Sequence, residues 1–308
     1  MLLKHTVYSV DTVVIGAGVI GLAVARSLAK SGREVLILER NASIGQETSS
    51  RNSQVIHAGL YYPQRSFKAK FCVEGRRMLY QYCRERSVDV QQCGKLIVAT
   101  SEASFRDKLV PLYHQALRNG VTDVKLLTDT AHIADLEPHL SHVVAALWSP
   151  STGIVDSHHF LYSLLADAEA HGATLALQSA VEDSRITNGV ELQVGGMWIA
   201  CRNVVNAAGL WAHQVASLLH QNHPWQPPKQ YYCKGNYFRL QGQISPFSRL
   251  VYPLPDERGG LGVHATLDLA GMVRFGPDVE WLHENIQPDE IDYTMGSWCR
   301  IMPVFDPS

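Results

Sequence analysis

The tract Gly16-Ala17-Gly18-Val19-Ile20-Gly21 constrains this chain more than any other. Before it, Tyr8 to Ile15 reads as a strand, with Val10, Val13, Val14 and Ile15 as a short β-branched run. After it, Leu22 to Ser31 reads as a helix closed by Gly32. Arg33 to Glu39 is a second strand, and its Val35-Leu36-Ile37-Leu38 run is continuous and apolar, as in a sheet covered on both faces. These elements make a βαβ unit with a right-handed crossover. In such a unit the first glycine permits the tight turn, the second lets the backbone approach a pyrophosphate, and the third lets helix and strand pack closely. The helix N-terminus then offers free N–H groups and a positive dipole end to phosphate. Glu39 stands 18 residues past Gly21, close to the ~20 expected for an acid that hydrogen-bonds a ribose. The pattern predicts a dinucleotide site. An acid at that position disfavours NADP, and NAD and FAD both remain open.

The rest of the composition narrows the setting. The chain has 308 residues, enough at ~150 per domain for two domains. It is 46% hydrophobic and 18% charged, as soluble globular proteins are. With 27 Lys plus Arg against 29 Asp plus Glu, the net charge of −2 excludes a strongly electropositive nucleic-acid binder and an acidic disordered chain. The apolar stretch from Thr12 to Ala25 is shorter than the ~20 residues of a membrane helix, so no integral membrane segment is expected. Asp11 sits where a signal peptide would be basic. A cytoplasmic protein is expected, at most peripheral to the inner face of the membrane. The six cysteines form no C-x-x-C pair and read as reduced and partly buried. His139 with His142, and His220 with His223, have i, i+3 spacing, but no acid or cysteine completes a set, so no metal is expected.

Further along, helices are predicted over 66–84, 102–119, 129–136 and 160–171, the first with Phe67, Phe71, Met78, Leu79 and Tyr82 near one face. Strands are predicted over 96–99, 174–177, 191–194 and 203–206. Four more, over 231–240, 249–252, 262–266 and 272–275, read as an antiparallel sheet. Pro224 to Pro228 is a candidate crossing between domains. The expected fold class is α/β: a discontinuous Rossmann-like domain with an inserted α+β domain carrying a mostly antiparallel sheet. The predicted division places 1–84, 145–228 and 300–308 in the first domain, and 85–144 and 229–299 in the second.

The tract Thr48-Ser49-Ser50-Arg51-Asn52-Ser53-Gln54-Val55-Ile56-His57-Ala58-Gly59-Leu60-Tyr61-Tyr62 decides between the dinucleotides. With the glycine fingerprint, it resembles the D-amino-acid-oxidase-like superfamily of FAD-dependent oxidoreductases, and within it the L-2-hydroxyglutarate dehydrogenase/oxidase group. Lys68 to Gly75, Gly94-Lys95-Leu96, Ser151 to Asp156, Asn206-Ala207-Ala208-Gly209, Lys234 to Phe238, Tyr252-Pro253, Gly262-Val263-His264 and Gly276-Pro277 follow in the family's order. The resemblance implies FAD as cofactor. Gly16, Gly18, Gly21, Glu39 and Arg40 would hold its ADP half, and Ser49, Ser50, Arg51 and Asn52 would line the pyrophosphate and flavin side. The backbone of Val181 would meet the adenine, and Ala208 and Gly209 would pass close to the cofactor.

The implied reaction is oxidation of a small 2-hydroxy acid, L-2-hydroxyglutarate first, by hydride transfer to flavin N5, with oxygen or a quinone as electron acceptor. It needs a base for the hydroxyl proton, and a neutral histidine suits that task. His57 and His264 are the candidates, either as base or as orienting donor. The substrate carboxylate needs a cation, for which Lys234 and Arg274 stand in or near family motifs, as does Arg51. Tyr61 and Tyr62 are candidate hydroxyl donors, while Arg239 and Arg258 read as solvated charges. The family's later glycine segment with Arg-Pro is not found, and the match fades after Trp281. The chain therefore reads as lacking the family's closing C-terminal part, with weak FAD binding or none expected. An amino-acid or amine oxidase of the same fold, or an inactive remnant, are the alternative readings.

Overall fold

The computed structural model describes residues 7–220, 224–255, 262–283, 286–291 and 298–305. β1 (Val7–Ile15), α1 (Val19–Lys30) and β2 (Val35–Leu38) form the βαβ unit. β3 (Val55–Ile56), α2 (Phe67–Arg86), β4 (Val90–Gln91) and β5 (Lys95–Ala99) follow. α3 (Glu102–Ser104) runs through a π-helical turn into α4 (Val110–Arg118). Next come β6 (Lys125–Leu127), α5 (Thr130–Leu136), β7 (Ala145–Ser149), β8 (Gly153–Val155) and α6 (Ser157–Ala170). β9 (Thr174–Ala176), β10 (Asp183–Ile186), β11 (Val190–Val194), β12 (Met197–Asn206) and α7 (Ala212–Leu219) precede the proline cluster. Beyond it lie β13 (Gln230–Arg239), β14 (Leu250–Pro253), β15 (His264–Leu267), β16 (Val273–Trp281) and β17 (Trp298–Phe305).

The fold class is the expected one. One sheet has the order β10-β11-β12-β1-β2-β9, and its four last strands run parallel. β1 is central, and Val13 and Val14 are fully buried because layers cover both faces. On one face α1 packs on α6 through Leu22, Ala25 and Ala29 against Leu161, Leu164 and Ala168. The other face carries Leu192, Ile199 and Val215. A second sheet, β17-β13-β16-β15-β14-β5-β7-β6, is antiparallel except where β14 lies parallel to β5. A small sheet, β3-β8-β4, joins the segment after β2 to the segment before α6.

Two expectations change. The predicted division put 145–149 and 300–305 with the first sheet. In the structure β7 pairs with β5 and β6, and β17 runs along β13, so the backbone hydrogen bonds of both go to the second sheet. The predicted apolar face of α2 divides: Leu79 and Tyr82 pack against the body, while Phe67, Phe71 and Met78 turn outward and are 76%, 59% and 69% exposed. The face against the body is completed by Ala69, Val73, Arg76, Tyr80 and Cys83, an equally regular helical stripe. Arg76 bonds the Ser151 hydroxyl, and the Tyr80 hydroxyl donates to the Ser151 carbonyl at 3.2 Å. Polar side chains with fixed partners thus displace part of the apolar pattern.

Asp167 of α6 binds Arg26 of α1 at 2.7 Å and Arg86 of α2 at 2.9 Å. Burial works against the carboxylate's charge, but the two arginines outweigh it and hold its pKa below the ordinary aspartate value. Asp167→Asn should therefore lower unfolding stability at pH 7 by about 1–2 kcal/mol. Because the folded pKa is depressed, the contribution is complete above the unfolded-state pKa of about 4 and is lost as pH falls through the folded value. Urea unfolding of wild type and variant at pH 7 and pH 3 checks this: the gap should narrow at the lower pH.

Candidate functional site

The carboxyl ends of β1, β2 and β12 meet at one edge of the first sheet, where Ile15 pairs with both Leu38 and Asn206. Ligands of open α/β sheets lie at such an edge. A cavity of about 410 Å³ opens here. Gly16, Gly18, Glu39, Arg40, Ser49 and Val181 line it, and Ala208 and Gly209 complete the wall.

The glycines explain why the backbone comes so close. Gly16 has φ +102°, and a Cβ on it would stand 2.5 Å from the carbonyl oxygen of Ala207. A Cβ on Gly21 would stand 1.9 Å from the carbonyl oxygen of Gly16. Gly21 therefore does not line the cavity; it lets α1 start directly behind the turn. α1 has no side-chain N-cap and no acid in its first turn, and the Val19 N–H meets only the neutral Ser49 Oγ at 3.0 Å. That helix end is free to take an anion. Glu39 is buried and its carboxylate accepts from the Ala17 N–H at 2.9 Å and the Asn41 N–H at 2.8 Å. A carboxylate has about four acceptor positions, so two remain for ribose hydroxyls. Uncapped helix end, glycine cradle and buried acceptor together fit a dinucleotide.

A second cavity of about 610 Å³ adjoins the first, sharing Arg40, Gln46, Glu47 and Trp211. Ser50 and Arg51 line it, as does His158. Arg51 bonds the Gln46 carbonyl and so braces this loop. Asn52 lines neither cavity: its side chain accepts from the Gln54 N–H at 2.8 Å and donates to the Ser49 carbonyl at 2.7 Å, fixing the turn instead. Trp211 and Gln214 are walls that the motif reading does not include. The Arg40 guanidinium lies 3.7 Å from the Trp211 ring centre, and Trp211 Nε1 donates to Glu47 at 3.1 Å. The tryptophan's place two residues past the Ala207-Ala208-Gly209 turn was the available signal.

The residues predicted to act on substrate belong to the second sheet and its cover. His264 is 4% exposed, and its Nδ1 lies 2.9 Å from the Gly262 carbonyl oxygen. A carbonyl only accepts, so Nδ1 carries the hydrogen and the neutral ring keeps its basic lone pair on Nε2. The ring stacks on Tyr252 at 3.9 Å and meets the edge of Tyr237 at 5.9 Å. His57 is half-buried beyond β3, and its carbonyl accepts from the Cys72 thiol at 3.4 Å. Neither histidine lines the two cavities above.

Arg274 is buried opposite Thr266 and pairs with Asp268 at 3.3 Å; burial draws its pKa down while Asp268 works the other way. Lys234 is buried on β13. Tyr61 is half-buried with its hydroxyl turned inward and no hydrogen-bond partner on that hydroxyl among the described residues, and desolvation pushes its phenol well above the usual value. Tyr62 is half-buried, and its carbonyl accepts from Gln115 and Asn119, both at 2.9 Å. Arg239 is exposed; Arg258 and His223 lie outside the described residues. His220 Nδ1 is 2.9 Å from the Ala216 carbonyl.

With this geometry in place, the chain can be set beside known proteins. The family described as "FAD dependent oxidoreductase" matches residues 11–307, so the match continues past Trp281. A relative called L-2-hydroxyglutarate dehydrogenase, mitochondrial, from Arabidopsis thaliana is 43% identical over 89% of this chain and 62% of its own length. The protein of that name from Homo sapiens is 33% identical over 88% of this chain and 61% of its own length. The chain thus spans about three-fifths of such relatives. Among solved structures, L-alpha-glycerophosphate oxidase from Mycoplasma pneumoniae with FAD bound superposes with a TM-score of 0.83 at 21% identity, covering 97% of this chain and 84% of that one. Glycine oxidase from Geobacillus kaustophilus gives 0.79 at 21% identity, with 97% and 84% covered. No helix among the described residues is long and apolar enough to cross a membrane.

Proposed function

The chain belongs to the family of FAD dependent oxidoreductases, and from that premise we propose that it oxidises a small 2-hydroxy acid, L-2-hydroxyglutarate first, passing the electrons on to oxygen or a quinone. When bound, FAD supplies the hydride acceptor, at N5 of its flavin. Gly16, Gly18, Glu39, Arg40, Ser49, Val181, Ala208 and Gly209 would hold its ADP portion, with Ser50 and Arg51 beside the adjoining cavity. His264 takes the hydroxyl proton on Nε2 as the C2 hydride departs, and the Gly262 carbonyl keeps the ring in the tautomer that can do so. His57 orients the hydroxyl. Arg274 and Lys234 draw in the substrate carboxylates, Arg274 exchanging its contact with Asp268 for the stronger bidentate pair. Tyr61 and Tyr62 donate hydroxyl hydrogen bonds. The division of labour between two domains, cofactor on the first sheet and substrate on the second, belongs to the same reading, as does a cytoplasmic setting.

The observation that carries the proposal is the buried His264, held in one tautomer on the same sheet as two buried cations. The names of the relatives agree with it. Anaerobic mixing of the FAD-saturated chain with L-2-hydroxyglutarate tests it. Bleaching of the flavin's visible bands is expected, with glycine and alanine leaving them unchanged. Bleaching by an amino acid and not by the hydroxy acid would overturn the substrate class. A melting temperature that saturating FAD does not raise would mark a non-catalytic remnant, since a ligand of the native state must raise it.

A further inference from the structure

Lys95 is 0% exposed at the start of β5, and no hydrogen-bond acceptor reaches its Nζ among the described residues. A buried amine in that state needs an account, because an unpaired ammonium inside a protein is costly. Aromatic faces are its surroundings. Nζ lies 4.7 Å from the centre of the Tyr61 ring and 4.6 Å from that of Tyr252. The other side of Tyr252 is taken by His264, stacked at 3.9 Å with only 16° between the planes.

The sheet explains the arrangement. β15, β14 and β5 are neighbours in that order. Val251 pairs with Ala265, so Tyr252 stands beside His264, and Leu250 pairs with Lys95 one step away on the other side. Side chains on one face of adjacent strands meet in this way. Tyr252 is therefore sandwiched between two nitrogen bases contributed by the flanking strands.

We propose that Lys95 is a positioning residue of this site: from across Tyr252 it keeps His264 in its neutral, proton-accepting form over a wider range of pH. The assignment rests on the reading of His264 as the proton acceptor. An ammonium on one side of the ring opposes an imidazolium on the other, because the buried Tyr252 ring that separates them screens their charges far less than water would. Burial pushes the Lys95 amine down to about 7, with Cys72 pulling the other way, so its charge changes in the working range. Around the pair stand Tyr61 from the segment after β3, Cys72 and Arg76 from α2, Tyr237 from β13, the strand that also carries Lys234, and Arg274 from β16 with Asp268 from the turn after β15. The only carboxylate in that group, Asp268, is paired with Arg274. Strands two apart lie about 9–10 Å from each other, and unit charges at that distance displace each other's midpoints by about one pH unit. The two bases then titrate in linked steps.

The test needs neither substrate nor turnover. In the full chain carrying labelled histidine, the His264 ring midpoint is followed by NMR in wild type, Lys95→Met and Lys95→Arg. Loss of the amine should raise the midpoint by about one unit, while arginine, always charged, should leave it at or below the wild-type value. The reciprocal measurement covers a misfolded Lys95→Met: in His264→Gln, the labelled Lys95 amine should titrate about one unit higher than in wild type. A purely structural lysine would move neither midpoint. Unchanged midpoints in both experiments, with the other histidine resonances in place, overturn the proposal. Flavin bleaching by L-2-hydroxyglutarate is a separate result, so a failed substrate assignment and a failed coupling are told apart.

Discussion

Gly21→Ala abolishes the FAD-induced rise in melting temperature and destabilises the chain by about 3 kcal/mol or more. The methyl group would arrive 1.9 Å from the Gly16 carbonyl oxygen, with the Ala207 side chain 3.4 Å away. Neither neighbour is the end of a flexible side chain, so relief requires α1 to move off β1. The helix start then leaves the place where its N–H groups face the cavity, and affinity should fall at least ~100-fold, or ~2.7 kcal/mol. Gly75→Ala is the control. Gly75 lies within α2 and has nothing within 4 Å of the added Cβ. That substitution should be neutral or stabilise by about 0.5–1 kcal/mol, as glycine-to-alanine changes do in an open helix. FAD titration by melting temperature, with urea unfolding alongside, measures both. A Gly21→Ala chain that binds FAD as wild type does would show that α1 is not the phosphate-binding helix.

His264→Asn should slow flavin reduction by L-2-hydroxyglutarate by about 10²–10⁴-fold, the usual range for losing a general base. Asparagine can still donate to the Gly262 carbonyl, so the loop contact survives while the basic nitrogen is lost. His57→Asn should cost less than about tenfold, because the half-buried His57 is assigned orientation rather than proton transfer. Rapid anaerobic mixing reads both rates. A larger effect at His57 than at His264 would exchange their roles. The acid limb of the His264-dependent rate should follow the ring's own titration, which links this result to the Lys95 experiment.

The cofactor side was legible early because its signals are local. Gly16, Gly18, Gly21 and Glu39 lie within one βαβ unit, and each has a backbone reason to be what it is. Asn52 shows where local reading stops: it sits in the right tract, yet its amide is consumed in the Ser49 to Gln54 turn. α2 shows another limit. Phe67, Phe71 and Met78 and the stripe Ala69, Val73, Arg76, Tyr80, Cys83 are both regular helical faces, and periodicity cannot say which one meets the body. The partners that choose, such as Ser151 for Arg76 and Tyr80, come from a distant segment.

The amino-acid sequence by itself determined the βαβ unit, the dinucleotide class and the family, because these depend on residues near one another along the chain. It also carried Lys95 and Tyr252 in its motif segments without any role attached to them. Only the tertiary structure decided that β7 and β17 join the second sheet, that Trp211 walls the cavity, and that Lys95, Tyr252 and His264 stack across three strands. The reason is physical. Pairing register lines up side chains from sequence positions 95, 252 and 264 with Tyr252 in the middle, and burial there draws the Lys95 amine's pKa down. Neither register nor burial is a property of a short stretch of chain.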